Sequence, residues 1–116
     1  MSELVIYHNP RCSKSRGTLE LLERRGLTPR VVEYLKTPPT TREIAAILKK
    51  LGVTARALMR TQEAIYTELN LQATTAESSL IQALHDHPAL MERPIVIVGD
   101  AARIGRPPET VLEILP

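Results

Sequence analysis

Leu4-Val5-Ile6-Tyr7-His8-Asn9-Pro10-Arg11-Cys12-Ser13-Lys14-Ser15-Arg16 runs from a short apolar segment of strand formers, through a polar turn, into a stretch that carries leucines at helical spacing. Cys12 therefore falls at the turn that opens a helix. It is also the only cysteine in the 116 residues. The first N–H groups of a helix have no intrahelical partner and sit at its positive end, so they stabilise a thiolate placed there. Arg11, Lys14 and Arg16 add positive charge nearby. Such surroundings bring a cysteine from its ordinary pKa of about 8.5 down to roughly 3.5–7.5. An unpaired cysteine more often serves as a small buried hydrophobe, but the charged neighbours here argue against an apolar site. Position alone thus points to Cys12 as a nucleophile.

Outward from this stretch, Thr18, Leu19 and Leu22 give the helix an apolar face, and Gly26 ends it. Residues 30–35 (Arg-Val-Val-Glu-Tyr-Leu) read as a second strand, so the opening third is a strand–helix–strand unit with a parallel pair. Thr37-Pro38-Pro39-Thr40 breaks the chain, and Thr40 with Glu43 has capping-box spacing for a helix whose stripe is Ile44, Ile47, Leu48 and Leu51. The pattern then stays helical and strandless, at 55–59, at 64–69, and around Leu80, Ile81 and Leu84, where Thr74 and Glu77 repeat the capping-box spacing. Residues 95–98 and, more weakly, 102–104 return to strand character around Gly99-Asp100, which predicts an antiparallel hairpin. Pro107 and Pro108 open a last helix with Val111, Leu112, Ile114 and Leu115 on its buried side.

This order predicts an α/β chain with a thioredoxin-like fold: a mixed four-stranded sheet, βαβ followed by ββα, with an all-helical insertion between the second and third strands. Residues 1–116 are expected to form one domain, with the insertion at about 40–88. Arg93-Pro94 lies just before the third strand, and Pro94 is the candidate for the cis proline that faces the cysteine in such folds.

Fifteen basic and thirteen acidic residues give a net charge of +2 without a basic patch, and three tyrosines with no Phe or Trp cannot build a base-stacking platform, so nucleic acid is not an expected partner. No stretch approaches the roughly 20 apolar residues of a membrane span, and Met1-Ser2-Glu3 leads straight into the strand, so a cytoplasmic chain is expected. His85 and His87 precede Pro88 as surface residues, and no Cys/His cluster has metal-ligand spacing, so no metal is expected. Eleven of the fifteen basic residues are arginines, whose planar fork matches oxyanions. Ser15 stands where a dithiol motif would carry its second thiol. No intramolecular disulfide can form, so any redox cycle draws on an external thiol. The Ser15 hydroxyl could hydrogen-bond a thiolate at Cys12.

Four segments, the His8–Arg16 stretch, Leu58-Met59-Arg60, Glu92-Arg93-Pro94-Ile95 and Arg103-Ile104-Gly105-Arg106-Pro107-Pro108, together resemble the ArsC-type, glutaredoxin-dependent arsenate reductases, and the similarity runs nearly end to end. The resemblance implies that Cys12 attacks arsenate, that Arg60, Arg93 and Arg106 bind the oxyanion, and that His8 helps maintain the thiolate. It implies glutathione as reducing co-substrate, glutaredoxin as protein partner, no tightly bound cofactor, and a monomer. The chain stops after its last helix, where the arsenical-operon enzymes run on into a longer tail. Two other readings stay open at this stage. One is an Spx-like regulator that binds RNA polymerase, a branch that typically carries a second cysteine at the position of Ser15. The other is a thiol-disulfide oxidoreductase whose arginines hold glutathione carboxylates. Arg11 and Arg16 are left as anion or glutathione contacts.

Overall fold

Four short strands make one sheet in the computed structural model, which describes residues 3–116. They are β1 (Leu4–His8), β2 (Arg30–Glu33), β3 (Ile95–Val98) and β4 (Ala101–Ile104), in the order β2-β1-β3-β4. Helix α1 (Ser13–Arg24) connects β1 to β2, which pair in parallel with Ile6 beside Val31. β3 runs antiparallel to β1, and β4 antiparallel to β3. This is the expected mixed sheet, and the hairpin turns at Gly99, whose φ of 58° a side chain would resist. β2 stops at Glu33, two residues short of the sequence expectation. The N–H groups of Lys36 and Thr37 both turn back onto the Glu33 carbonyl, at 2.9 and 3.0 Å. The last segment, Pro108–Ile114, is a 3₁₀ helix rather than an α-helix. A three-residue period sets Val111 and Ile114 one above the other, and both pack into the core.

Contact between elements divides the molecule into two units, one made by the chain up to Thr37 together with Arg93–Pro116, the other by Pro38–Glu92. In the first, Ile6, Leu22, Val96 and Val111 are fully buried and gather Leu4, Leu19, Leu27 and Val98 around them. The alternate residues Val5, Tyr7, Ile95 and Ile97 are buried as well, which is why β1 and β3 read as continuous apolar runs rather than alternating ones. Gly105 fits this unit for steric reasons. A Cβ there would lie 2.5 Å from Thr18 Oγ1 and 2.9 Å from Pro94 Cγ, so α1 can approach the end of β4 only over a glycine. Thr18 is itself fully buried and donates to the Lys14 carbonyl at 2.8 Å, so its side chain has little room to retreat. We expect Gly105→Ala to destabilise the fold by about 1–3 kcal/mol, the usual cost of overpacking, read as a lower denaturation midpoint at unchanged m-value.

In the second unit, α2 (Thr41–Leu51) carries the complete capping box: Thr40 Oγ1 accepts from Glu43 N–H at 3.1 Å, and Glu43 accepts from Thr40 N–H at 2.8 Å. Its Ile44, Ile47 and Leu48 are buried and face α4 (Glu77–Asp86), which buries Leu80, Ala83 and Leu84. Between them lie a 3₁₀ turn at Arg56–Leu58 and the short helix α3 (Ala64–Glu68). Arg56 ties these pieces together, donating to Tyr66 Oη, to the Leu71 carbonyl at 3.1 Å and to the Thr74 carbonyl. The second expected capping box does not form. Ala76 caps α4 without a side-chain bond, and Glu77 instead accepts from Ala55 N–H at 2.8 Å. The unit is not wholly helical either, because Met59 and Met91 pair in a single antiparallel bridge. His85 is half-buried with Nδ1 2.8 Å from the Pro39 carbonyl, and His87 is also half-buried, so neither is the surface residue expected.

Candidate active site

Cys12 occupies the N-cap of α1 with an extended backbone (φ −94°, ψ 123°), the geometry that aims a cap side chain at the first helical N–H groups. Partial burial pushes the thiol upward. The backbone N–H of Ser15, the guanidinium of Arg93 and the backbone N–H of Lys14 outweigh it, and the net pKa lies below the ordinary thiol value. The sulfur is held by this field rather than by a short capping bond. Arg106 adds a second guanidinium, with Nη2 3.8 Å from Sγ, and its Nε donates to the Arg93 carbonyl at 2.9 Å. Arg93-Pro94 is cis, as expected, and so is Arg106-Pro107, for which no cis bond was expected. The two arginines thus enter the site from the starts of two X-Pro turns on either side of the β3–β4 hairpin.

The charges that act on the sulfur differ from those expected. Arg16 donates to the Pro10 carbonyl at 2.9 Å, and Lys14 contributes through its backbone. Arg93 carries the side-chain share. Ser15 also departs from expectation. Its hydroxyl is fully buried and lies 2.6 Å from His8 Nδ1, while accepting from Asn9 N–H at 3.0 Å, so it is turned away from Cys12. Asn9 N–H, the Ser15 hydroxyl and Nδ1 are all satisfied when Ser15 donates to Nδ1, which puts the ring proton on Nε2. Asn9 completes the loop: its carbonyl accepts from Cys12 N–H and its Oδ1 from Arg11 N–H, both at 3.0 Å. The signal for Asn9 is local: an asparagine before a proline is a turn former whose side chain bonds the backbone two residues on.

His8 is buried, and desolvation lowers its pKa from the ordinary 6.5, opposed by the Glu33 carboxylate and reinforced by Arg16. The folded protein therefore binds fewer protons here than the unfolded chain once the pH drops toward 6.5, so this group costs stability progressively on acidification, from about 6.5 down to its depressed folded value. We expect Ser15→Ala to strand His8 Nδ1 and Asn9 N–H inside the protein and to lower stability by about 1–3 kcal/mol in denaturant titration.

Arg60 belongs to the second unit. Its N–H donates to the Leu90 carbonyl at 2.6 Å, and Nη1 lies 3.9 Å from Glu92 Oε2. Nε of Arg60 and Nε of Arg93 are both buried, and neither meets a hydrogen-bond acceptor among the described residues. The structure therefore joins Cys12, Arg93, Arg106 and Pro94 in one unit, with His8 and Ser15 behind the loop, and describes Arg60 in the other.

Residues 7–114 match the model of the ArsC family. This chain belongs to the ArsC family. An uncharacterized protein YfgD of Escherichia coli K12 is 56% identical over 97% of both chains. An arsenate reductase of Haemophilus influenzae is 52% identical over 97% of this chain and 98% of its own. Among solved structures, an arsenate reductase from Vibrio cholerae superposes with a TM-score of 0.95 at 50% identity, covering 98% of each chain. The ArsC architecture thus accounts for the thioredoxin-like sheet with a cysteine at its first helix.

Proposed function

We propose that this chain is an arsenate reductase in which Cys12 is the nucleophile, with glutathione and glutaredoxin as external reductants. The observation that carries the reading is a lone sulfur of lowered pKa against two guanidinium groups, Arg93 and Arg106. The names of the relatives support it. A thiolate attacking an oxyanion meets repulsion unless cations screen the oxygens, and preorganised guanidinium groups do this without reorganisation. In this reading Arg60 joins Arg93 and Arg106 around the oxyanion. The buried Nε groups of Arg60 and Arg93, which meet no acceptor among the described residues, mark guanidinium capacity left for a ligand.

The chemistry balances in three steps. Cys12 forms a sulfur–arsenic bond as one arsenate oxygen, protonated, leaves as water. A glutathione thiolate then attacks the Cys12 sulfur, and the sulfur–arsenic bond breaks with its electron pair left on arsenic. Arsenic goes from the +5 to the +3 state and departs as arsenite, while the two thiols become one mixed disulfide. Glutaredoxin attacks the glutathione sulfur of that disulfide and returns Cys12 to the thiolate. His8 and Ser15 act in this cycle as positioning residues that hold the Asn9–Cys12 turn. The cycle needs one copy of the chain and a reducing compartment such as the cytoplasm.

A coupled assay with purified protein tests the reading: arsenate, glutathione, glutaredoxin and glutathione reductase together should oxidise NADPH, with omission of glutaredoxin or glutathione stopping steady turnover. Absence of turnover by fully reduced protein with every component present would sink it. Binding to RNA polymerase without such turnover would support the regulator reading instead.

A further inference from the structure

Beside the Cys12 turn, on the β2 side, the first unit holds a cavity of about 180 Å³ lined by His8, Pro10, Arg11, Glu33, Leu35 and Lys36. That is below the roughly 300–1,000 Å³ of pockets that enclose a whole small molecule, so it suits one end of a longer ligand. Its wall carries polar groups of definite character. Lys36 Nζ lies 3.4 Å from Glu33 Oε1, a contact that holds the ammonium beside the cavity wall. Arg11 lines the cavity from the loop and brings a second positive charge to its wall. His8 lies at the wall as a residue only 6% exposed, with Nδ1 engaged by Ser15, and the tautomer in which Ser15 donates to Nδ1 carries the ring proton on Nε2. Two cations, one of them beside the Glu33 carboxylate, and an imidazole give the wall a net positive charge that suits a carboxylate. Pro10 and Leu35 supply apolar wall for the atoms that follow it.

We propose that this cavity binds a terminal carboxylate of glutathione, on Lys36, Arg11 and His8 Nε2, and so places the tripeptide's sulfur at Cys12. The inference rests on the single-thiol cycle proposed above, to which it adds the place where the external thiol docks. A ligand anchored here reaches the nucleophile across Arg11, one residue away in the chain. It approaches from the side opposite the β3–β4 hairpin, leaving Arg93 and Arg106 to the oxyanion. Glu33 serves as a positioning residue for Lys36.

The test uses reaction with disulfides and needs no arsenate, so it fails or succeeds apart from the arsenate reading. Attack of the Cys12 thiolate on glutathione disulfide breaks its S–S bond, forms the Cys12–glutathione mixed disulfide and releases one glutathione thiolate. Second-order rates, followed by mass spectrometry, are compared for glutathione disulfide, for uncharged bis(2-hydroxyethyl) disulfide and for anionic 3,3′-dithiodipropionate, whose carboxylates lie only three bonds from sulfur against six for the glycine carboxylate of glutathione. We expect K36Q and R11Q each to slow reaction with glutathione disulfide by about 3–10-fold, the range of one partly exposed charge-assisted contact. Both should leave the hydroxyethyl rate unchanged and the dithiodipropionate rate within about two-fold, the residue of general screening. Equal slowing with both anionic disulfides would identify a general field and overturn the docking site. No slowing with glutathione disulfide in either variant would overturn it as well. Lys36 is well exposed and its aliphatic stem packs in no core, so K36Q folds, and circular dichroism confirms this before rates are read.

Discussion

Cys12→Ser is expected to abolish arsenate turnover, by more than about 10³-fold, while leaving the fold intact. The chain has no second sulfur nucleophile, because Cys12 is its only cysteine. A hydroxyl at the same N-cap stays protonated at neutral pH, attacks arsenic poorly and leaves no sulfur–arsenic bond for glutathione to cleave. Stability should change by no more than about 0.5 kcal/mol, since serine is itself a favoured N-cap and the position is only partly buried. Steady-state kinetics with a thermal melt on the same preparation check both halves. The variant should also take up no iodoacetamide, which ties the lost turnover to the lost thiolate. Residual turnover within ten-fold of the parent protein would remove Cys12 from the chemistry.

Arg93→Leu should have the next largest effect, and through two separate properties. Arg93 lowers the Cys12 pKa by hydrogen bonding and by charge, so its removal raises that pKa toward the ordinary thiol range. The rate of Cys12 alkylation against pH then shifts to higher pH. The sign follows from the charged form: a cation favours thiolate, and losing it favours thiol at any given pH. In the reduction assay the loss of one preorganised donor to a developing charge should lower kcat/KM for arsenate by about 10²-fold. A variant that loses turnover with an unshifted alkylation profile would confine Arg93 to the oxyanion. A shifted profile with full turnover would confine it to the sulfur.

The architecture was legible where the signal is local. The strand formers of β1, the leucines of α1, the hairpin at Gly99-Asp100 and the Thr40–Glu43 capping box all depend on residues a few positions apart, and all appear in the structure. The Thr74–Glu77 spacing carried the same signature and failed. The Glu77 carboxylate meets Ala55 N–H, 22 residues away in the chain, and a distant donor outcompeted the local one. Gly105 read only as the end of a strand, although its reason lies in Thr18 and Pro94, which approach it from elsewhere in the chain.

By itself the amino-acid sequence determined that one sulfur sits at the start of the first helix, that Ser15 replaces a resolving thiol, and that no disulfide can close within the chain. These are properties of composition and short spacing, and no folding is needed to establish them. Only the tertiary structure decided which cation acts on that sulfur. Arg11, Lys14 and Arg16 are its neighbours in the chain, yet Arg93 supplies the side-chain field, and Arg106, 94 residues away, comes to 3.8 Å. It likewise turned the Ser15 hydroxyl from the thiolate to His8. The physical reason is common to both. A side chain goes where packing leaves it room and a partner, and for charged groups that partner is set by how the sheet brings distant turns together.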